Sequence, residues 1–235
     1  MQPSEPTRRS SLSVVLVVSA LIGALGCSSG KDKKTGGEQR AGAAAGGLKE
    51  TRNELSTARA QIDKTLFSMN RLRDGQGQLQ TEFTEFNAEL KKTDEQAAKV
   101  RARAADMRTR ATEYQTKWRQ EVANIDDPAL RAAANTRADK IRERYDAITA
   151  KANEVRTAYE PFIKQLKGVQ TYLSNDLTPA GVQGAGDVFD RATANGKTVG
   201  EKIDAVIAEL DSVAANFTAT PTAATAPTAG TAPPK

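Results

Sequence analysis

Few side chains in this 235-residue sequence are of types that do chemistry, and their spacing limits what each can do. Histidine is absent, which removes the commonest general base and metal ligand. The single cysteine, Cys27, stands in Leu21-Ile22-Gly23-Ala24-Leu25-Gly26-Cys27-Ser28-Ser29-Gly30, where an apolar run gives way to a polar one. Asp126 and Asp127 are adjacent carboxylates of the kind that can divide acid and base work. Pro128 after them favours a simpler reading, a capping carboxylate ahead of a proline at the first helical position. Gly181, Gly184 and Gly186 have the composition of a phosphate loop, but no strand signal precedes them and no Lys-Ser pair follows. Lys99, Arg101, Arg103, Arg108 and Arg110 form a basic run that could touch anionic lipid head groups, wall polymers or envelope proteins. With Asp94, Glu95 and Asp106 close by, the same run reads more simply as a solvated helix face. These residues point to no catalytic group, no metal site and no cofactor.

Cys27 is interpreted through what precedes it. Arg8 and Arg9 lead into residues 12–25, an apolar run of 14 residues, which is the layout of an export signal. The run is shorter than the roughly 20 residues a helix needs to span a bilayer core, so it reads as an export signal, with a single-pass anchor as the rival reading. With Gly26 before it, Cys27 resembles the lipobox cysteine of bacterial lipoproteins. That resemblance implies that residues 1–26 are removed as a signal peptide and that the Cys27 thiol carries diacylglycerol. Several acyl chains, at about 0.8 kcal/mol per buried CH₂, would then hold the chain on a membrane. Ser28 and Ser29, in place of an aspartate, imply the outer membrane facing the periplasm. An ordinary secreted protein with an unmodified thiol stays open beside this reading.

A formal net charge of +5, spread among nearly equal numbers of acids, does not favour nucleic acid as a partner. Residues 28–47 are rich in Gly, Ala, Lys and Ser, so residues 27–47 are expected to be the acylated cysteine and a flexible linker, with a reach on the order of 25 Å. Residues 218–235 hold only Thr, Ala and Pro apart from Gly230 and Lys235, and are expected to be a disordered tail.

Residues 48–217 show the periodicity of helices. Leu48, Leu55, Ile62 and Met69 lie seven apart, with Thr51, Ala58, Thr65 and Leu72 three after each. Asp74-Gly75-Gln76-Gly77 interrupts this seam, because two glycines cost about 2 kcal/mol inside a helix. A hairpin turn is expected there, with one long helix as the alternative, since the next seam keeps the same register. That seam runs from Leu79 through Phe83, Phe86, Leu90, Val100, Met107, Tyr114 and Trp118 to Ile125. A third starts at Pro128 and runs through Ala134, Ile141, Tyr145, Ile148, Val155, Tyr159, Phe162 and Leu166 to Leu173, with a kink expected near Pro161. Thr178-Pro179 repeats the cap-and-proline signal and opens a fourth seam, from Val182 to Val213. The expected fold is all-α, an elongated antiparallel helical bundle with coiled-coil seams and three to four long helices. Eight of the eleven aromatics sit on seams, so they read as packing rather than ligand binding.

The spacing of Trp118, Glu121 and Ile125, of Arg131, Arg137 and Tyr145, of Pro161-Phe162 and Leu166, and above all Asn175-Asp176-Leu177-Thr178-Pro179-Ala180-Gly181-Val182 resembles a bacterial family of helical, coiled-coil envelope proteins classified only as a domain of unknown function. The resemblance covers roughly residues 48–213. It implies a long helical protein, often exported, and assigns no catalytic residue. Two functions are expected from the whole: a non-enzymatic, lipid-anchored scaffold or partner-binding rod, or a helical adaptor or periplasmic subunit of a transport or secretion assembly. An exposed apolar stripe or hairpin tip would favour the adaptor, and a sealed seam the scaffold.

Overall fold

The first seam ends where the backbone turns: Gly75 has φ +59, and its N–H donates to Arg71 O at 3.3 Å, the left-handed cap that closes a helix. A computed structural model describes residues 36–75 and 78–218, with side chains up to 215. Residues 1–26, Cys27 and the tail beyond 218 lie outside the described residues. Helix α1 spans Gly36–Asp74, α2 Leu79–Val122, α3 Pro128–Asn175, α4 Pro179–Gly184 and α5 Gly186–Thr218, and among the described residues there is no strand. At 1.5 Å per residue, α2 and α3, with 44 and 48 residues, run about 66 and 72 Å. The turn at Gly75 is a hairpin and not an interruption in one long helix, since α2 runs back along α1.

Each long helix touches two others: α1 packs on α2 and α5, and α3 on α5 and α2. Polar pairs across the four edges show that neighbours are antiparallel. On the first edge Arg71 meets Glu85 at 2.8 Å and Gln96 donates to Glu54 O at 3.3 Å. Between α1 and α5, Arg52 meets Asp211 at 3.4 Å and Arg73 meets Asp190 at 3.1 Å. Between α3 and α5, Lys151 meets Glu209 and Lys202 meets Glu154, both at 2.7 Å. The Lys151 hydrogen bond holds the Glu209 carboxyl below its ordinary range. Between α2 and α3, Lys167 meets Asp94 at 2.8 Å and Gln170 donates to Asn87 at 3.1 Å. This is a four-helix antiparallel bundle with α2, α1, α5 and α3 in order around it.

The core lies where the seams predict. All eight seam positions of α1 are buried, as are those from Val182 to Val213 on α4 and α5. Thr65 and Thr93 enter the core as a hydroxyl pair 2.7 Å apart, one donating and the other accepting across the first edge, with Gln61 O 3.0 Å from Thr65 Oγ1. Phe67 and Tyr172, two aromatics off the seams, are exposed.

Two expectations are corrected. The stretch expected as linker is helical from Gly36, with Ala44 and Gly47 buried. Its small residues let α1 approach α2: a Cβ on Gly47 would lie 3.6 Å from Arg110 Cδ, and Arg40 pairs with Glu121. The fourth helix is broken in two at Ala185, whose N–H turns back to Gly181 O and Val182 O at 3.2 Å. Gly184 and Gly186 on either side weaken the helix at that point. Helix α3 continues through Pro161 without ending.

Candidate functional site

Burial is uneven around the bundle. On α2 nothing is buried between Gln96 and Met107, and on α3 nothing between Ile148 and Phe162. The antiparallel register places these two stretches at one level, where Leu55, Ala58, Ile203 and Val206 of the other two helices are buried. Val100 and Ala104 of α2, and Ala152, Val155 and Tyr159 of α3, are left half-buried along a shallow cleft. Burial raises the Tyr159 hydroxyl above the ordinary tyrosine range, and the deeper Tyr145 hydroxyl to about 12, so both stay protonated. Beyond the cleft α2 and α3 close again, as Trp118 Nε1 donates to Ala134 O at 3.2 Å.

The polar columns beside the seam explain the opening. Asn87, Asp94, Arg101 and Arg108 are seven apart on the α3-facing side of α2. At one end of this column Asn87 and Asp94 find Gln170 and Lys167. One heptad on, the same register sets Arg101 against Arg156 in the inner column of α3 and Glu160 in the outer. Another heptad on, the positions in register with Arg108 are Thr149 and Asn153, neither a carboxylate. Arg101, Arg108, Arg156 and Glu160 are exposed and make no ion pair among the described residues. Like charge across the inner columns opposes closure.

The basic run therefore does not form one face. At 100° per residue, Lys99, Arg103 and Arg110 fall toward α1, and Arg101 and Arg108 toward α3. Arg103 pairs with Glu50 of α1 at 3.3 Å, and Arg110 with Asp106 at 2.9 Å. Arg156 was not picked out in the sequence, although its place seven residues before Ile163 and fourteen before Gln170 marks the column once α3 is known to flank α2.

Asp127 is a helix cap: Oδ1 accepts from Ala129 N at 2.8 Å and Leu130 N at 2.9 Å. Arg131 donates to Ile125 O at 2.8 Å through Nε, which fastens the α2–α3 turn, and Asp126 is exposed. Asp127→Ala is expected to cost about 1 kcal/mol and Asp127→Asn only a few tenths, because asparagine caps nearly as well. Urea unfolding of the two variants checks the difference. Gly181 serves packing: a Cβ there would fall 2.2 Å from Asp176 O, and Gly181 N donates to the capping Thr178 Oγ1 at 3.1 Å. Among the described residues no cluster of three acidic or thiol ligands is placed to hold a metal, and no helix is long and apolar enough to cross a membrane.

No curated protein and no solved structure matches the chain. A family model described as Protein of unknown function (DUF2959) matches residues 30–217, a span reaching from before α1 to the last turn of α5, and the chain belongs to that family.

Proposed function

We propose that this protein is a lipoprotein of the bacterial envelope, tethered through Cys27 at the outer membrane and facing the periplasm, whose helical bundle binds partner proteins without catalysing a reaction. The sealed seams of α1 and α5 support the scaffold, and the half-buried stretch of α2 and α3, an apolar stripe of the kind expected of an adaptor, is where either kind of protein would take a partner. Its charge columns leave three arginines for an outside partner. The tether is supported by the apolar run that ends at Cys27. Metabolic labelling with a tagged fatty acid is expected to mark the wild-type chain and leave Cys27→Ala unmarked; equal labelling of both contradicts the tether.

A second reading, an adaptor in a transport or secretion assembly, draws on Leu130, which is 64% exposed at the α2–α3 turn. An apolar side chain at a hairpin tip suits end-to-end contact. If that contact matters, Leu130→Glu abolishes assembly without changing the melting temperature. If the sides of the bundle are what bind, the variant behaves like the parent.

A further inference from the structure

We infer that the cleft between α2 and α3 takes an acidic amphipathic helix from a partner protein, an inference that rests on the partner-binding reading above. Along the cleft Val100, Ala104, Val155 and Tyr159 are only partly buried against the core, over about two helical turns. Such a trough fits the apolar stripe of a helix rather than an enclosed small molecule. Its rims specify the charge of the occupant. Arg101 and Arg108 stand one heptad apart, about 10 Å along α2, and Arg156 stands across from Arg101. Glu160 is the one carboxylate in register with them, so the rim keeps a net positive charge. A helix with Glu or Asp seven apart beside its apolar stripe would place carboxylates beside arginines that have no ion pair of their own among the described residues. It would complete the pairing that Asp94–Lys167 begins at the closed end. A second copy of the same face is excluded as the occupant by its like charge.

The test uses the full-length protein in detergent and two fluorescent 21-residue peptides, each with a leucine heptad stripe, one flanked by Glu and the other by Lys. The Glu peptide is expected to bind and the Lys peptide to bind at least about tenfold more weakly, with the difference shrinking at high salt. The triple variant Arg101→Glu, Arg108→Glu, Arg156→Glu should reverse the preference. Ala104→Trp, which fills the trough and leaves the charge alone, should block both peptides while the helical circular dichroism is retained. Equal binding of the two peptides, an unchanged preference in the triple variant, or binding of phosphatidylglycerol vesicles through these arginines with no peptide bound would each overturn the inference. None of those results touches the acylation of Cys27, and an unacylated Cys27 leaves the peptide result standing, so the two ideas fail separately.

Discussion

Phe162→Ala is expected to destabilise the bundle by about 3–5 kcal/mol, the range for removing a buried aromatic ring. Phe162 is 0% exposed, and its ring meets Tyr159 edge-on with centroids 6.2 Å apart. On α5 it faces Gly196, which has no side chain to swing into the space the ring would leave. Relaxation is therefore limited and the cavity term is retained in full. The urea midpoint of the full chain is the readout; a loss below about 1.5 kcal/mol would mean that the site collapses and that α5 is not held close to α3 there.

The reciprocal change fails for the opposite reason. On Gly196 a Cβ would fall 2.9 Å from both Leu66 Cδ1 and Phe162 Cε2, so Gly196→Val forces side chains of α1 and α3 apart at once. Overpacking of this kind costs about 1–3 kcal/mol. The gain in helix propensity from glycine to valine, a few tenths of a kcal/mol, does not mask it. Because the two positions share one space, Phe162→Leu should offset part of the Gly196→Val penalty, and a double-mutant cycle should show coupling of about 0.5 kcal/mol or more. Strict additivity would mean the two residues do not meet.

These contacts show how far residue types and spacing carry. Every seam residue of α1 and α5 is buried, because a seven-residue repeat of apolar side chains has one way to be covered, while Leu66 and Ser68 of α1 and Gly200 of α5 are buried off the seams. Gly75 marks the hairpin for a local reason, a positive φ. Residues 36–47 were misread because their glycines and alanines have the composition of a linker. What makes them helical is contact with α2, where Ala44 and Gly47 fit since they are small. The break at Ala185 was missed in a seam whose periodicity runs through it unbroken.

The candidate site was legible only in pieces. Arg101 and Arg108 are visible as part of a basic run, and Arg110 pairs with the neighbouring Asp106 of the same helix, but the run gives no sign that Arg103 meets Glu50 of α1. Which column faces which helix depends on the order of helices around the bundle, and that order is set by four interfaces between distant segments. Once α3 lies beside α2, Arg156 joins the two arginines and the half-buried residues between them become one surface. A sequence shows that Val100 and Val155 are apolar; only the packing shows that neither is fully covered.

The central claim, that the tethered bundle engages a partner through its α2–α3 side, is tested most directly by site-specific photo-crosslinking in intact membranes. A photoreactive side chain is placed at Ala104, in the cleft, and separately at Ala60, exposed on α1. The account predicts a discrete protein adduct from position 104, none from position 60, and loss of the adduct when Arg101, Arg108 and Arg156 are reversed to glutamate. Equal crosslinking from both positions, or an adduct that survives the charge reversal, would contradict it.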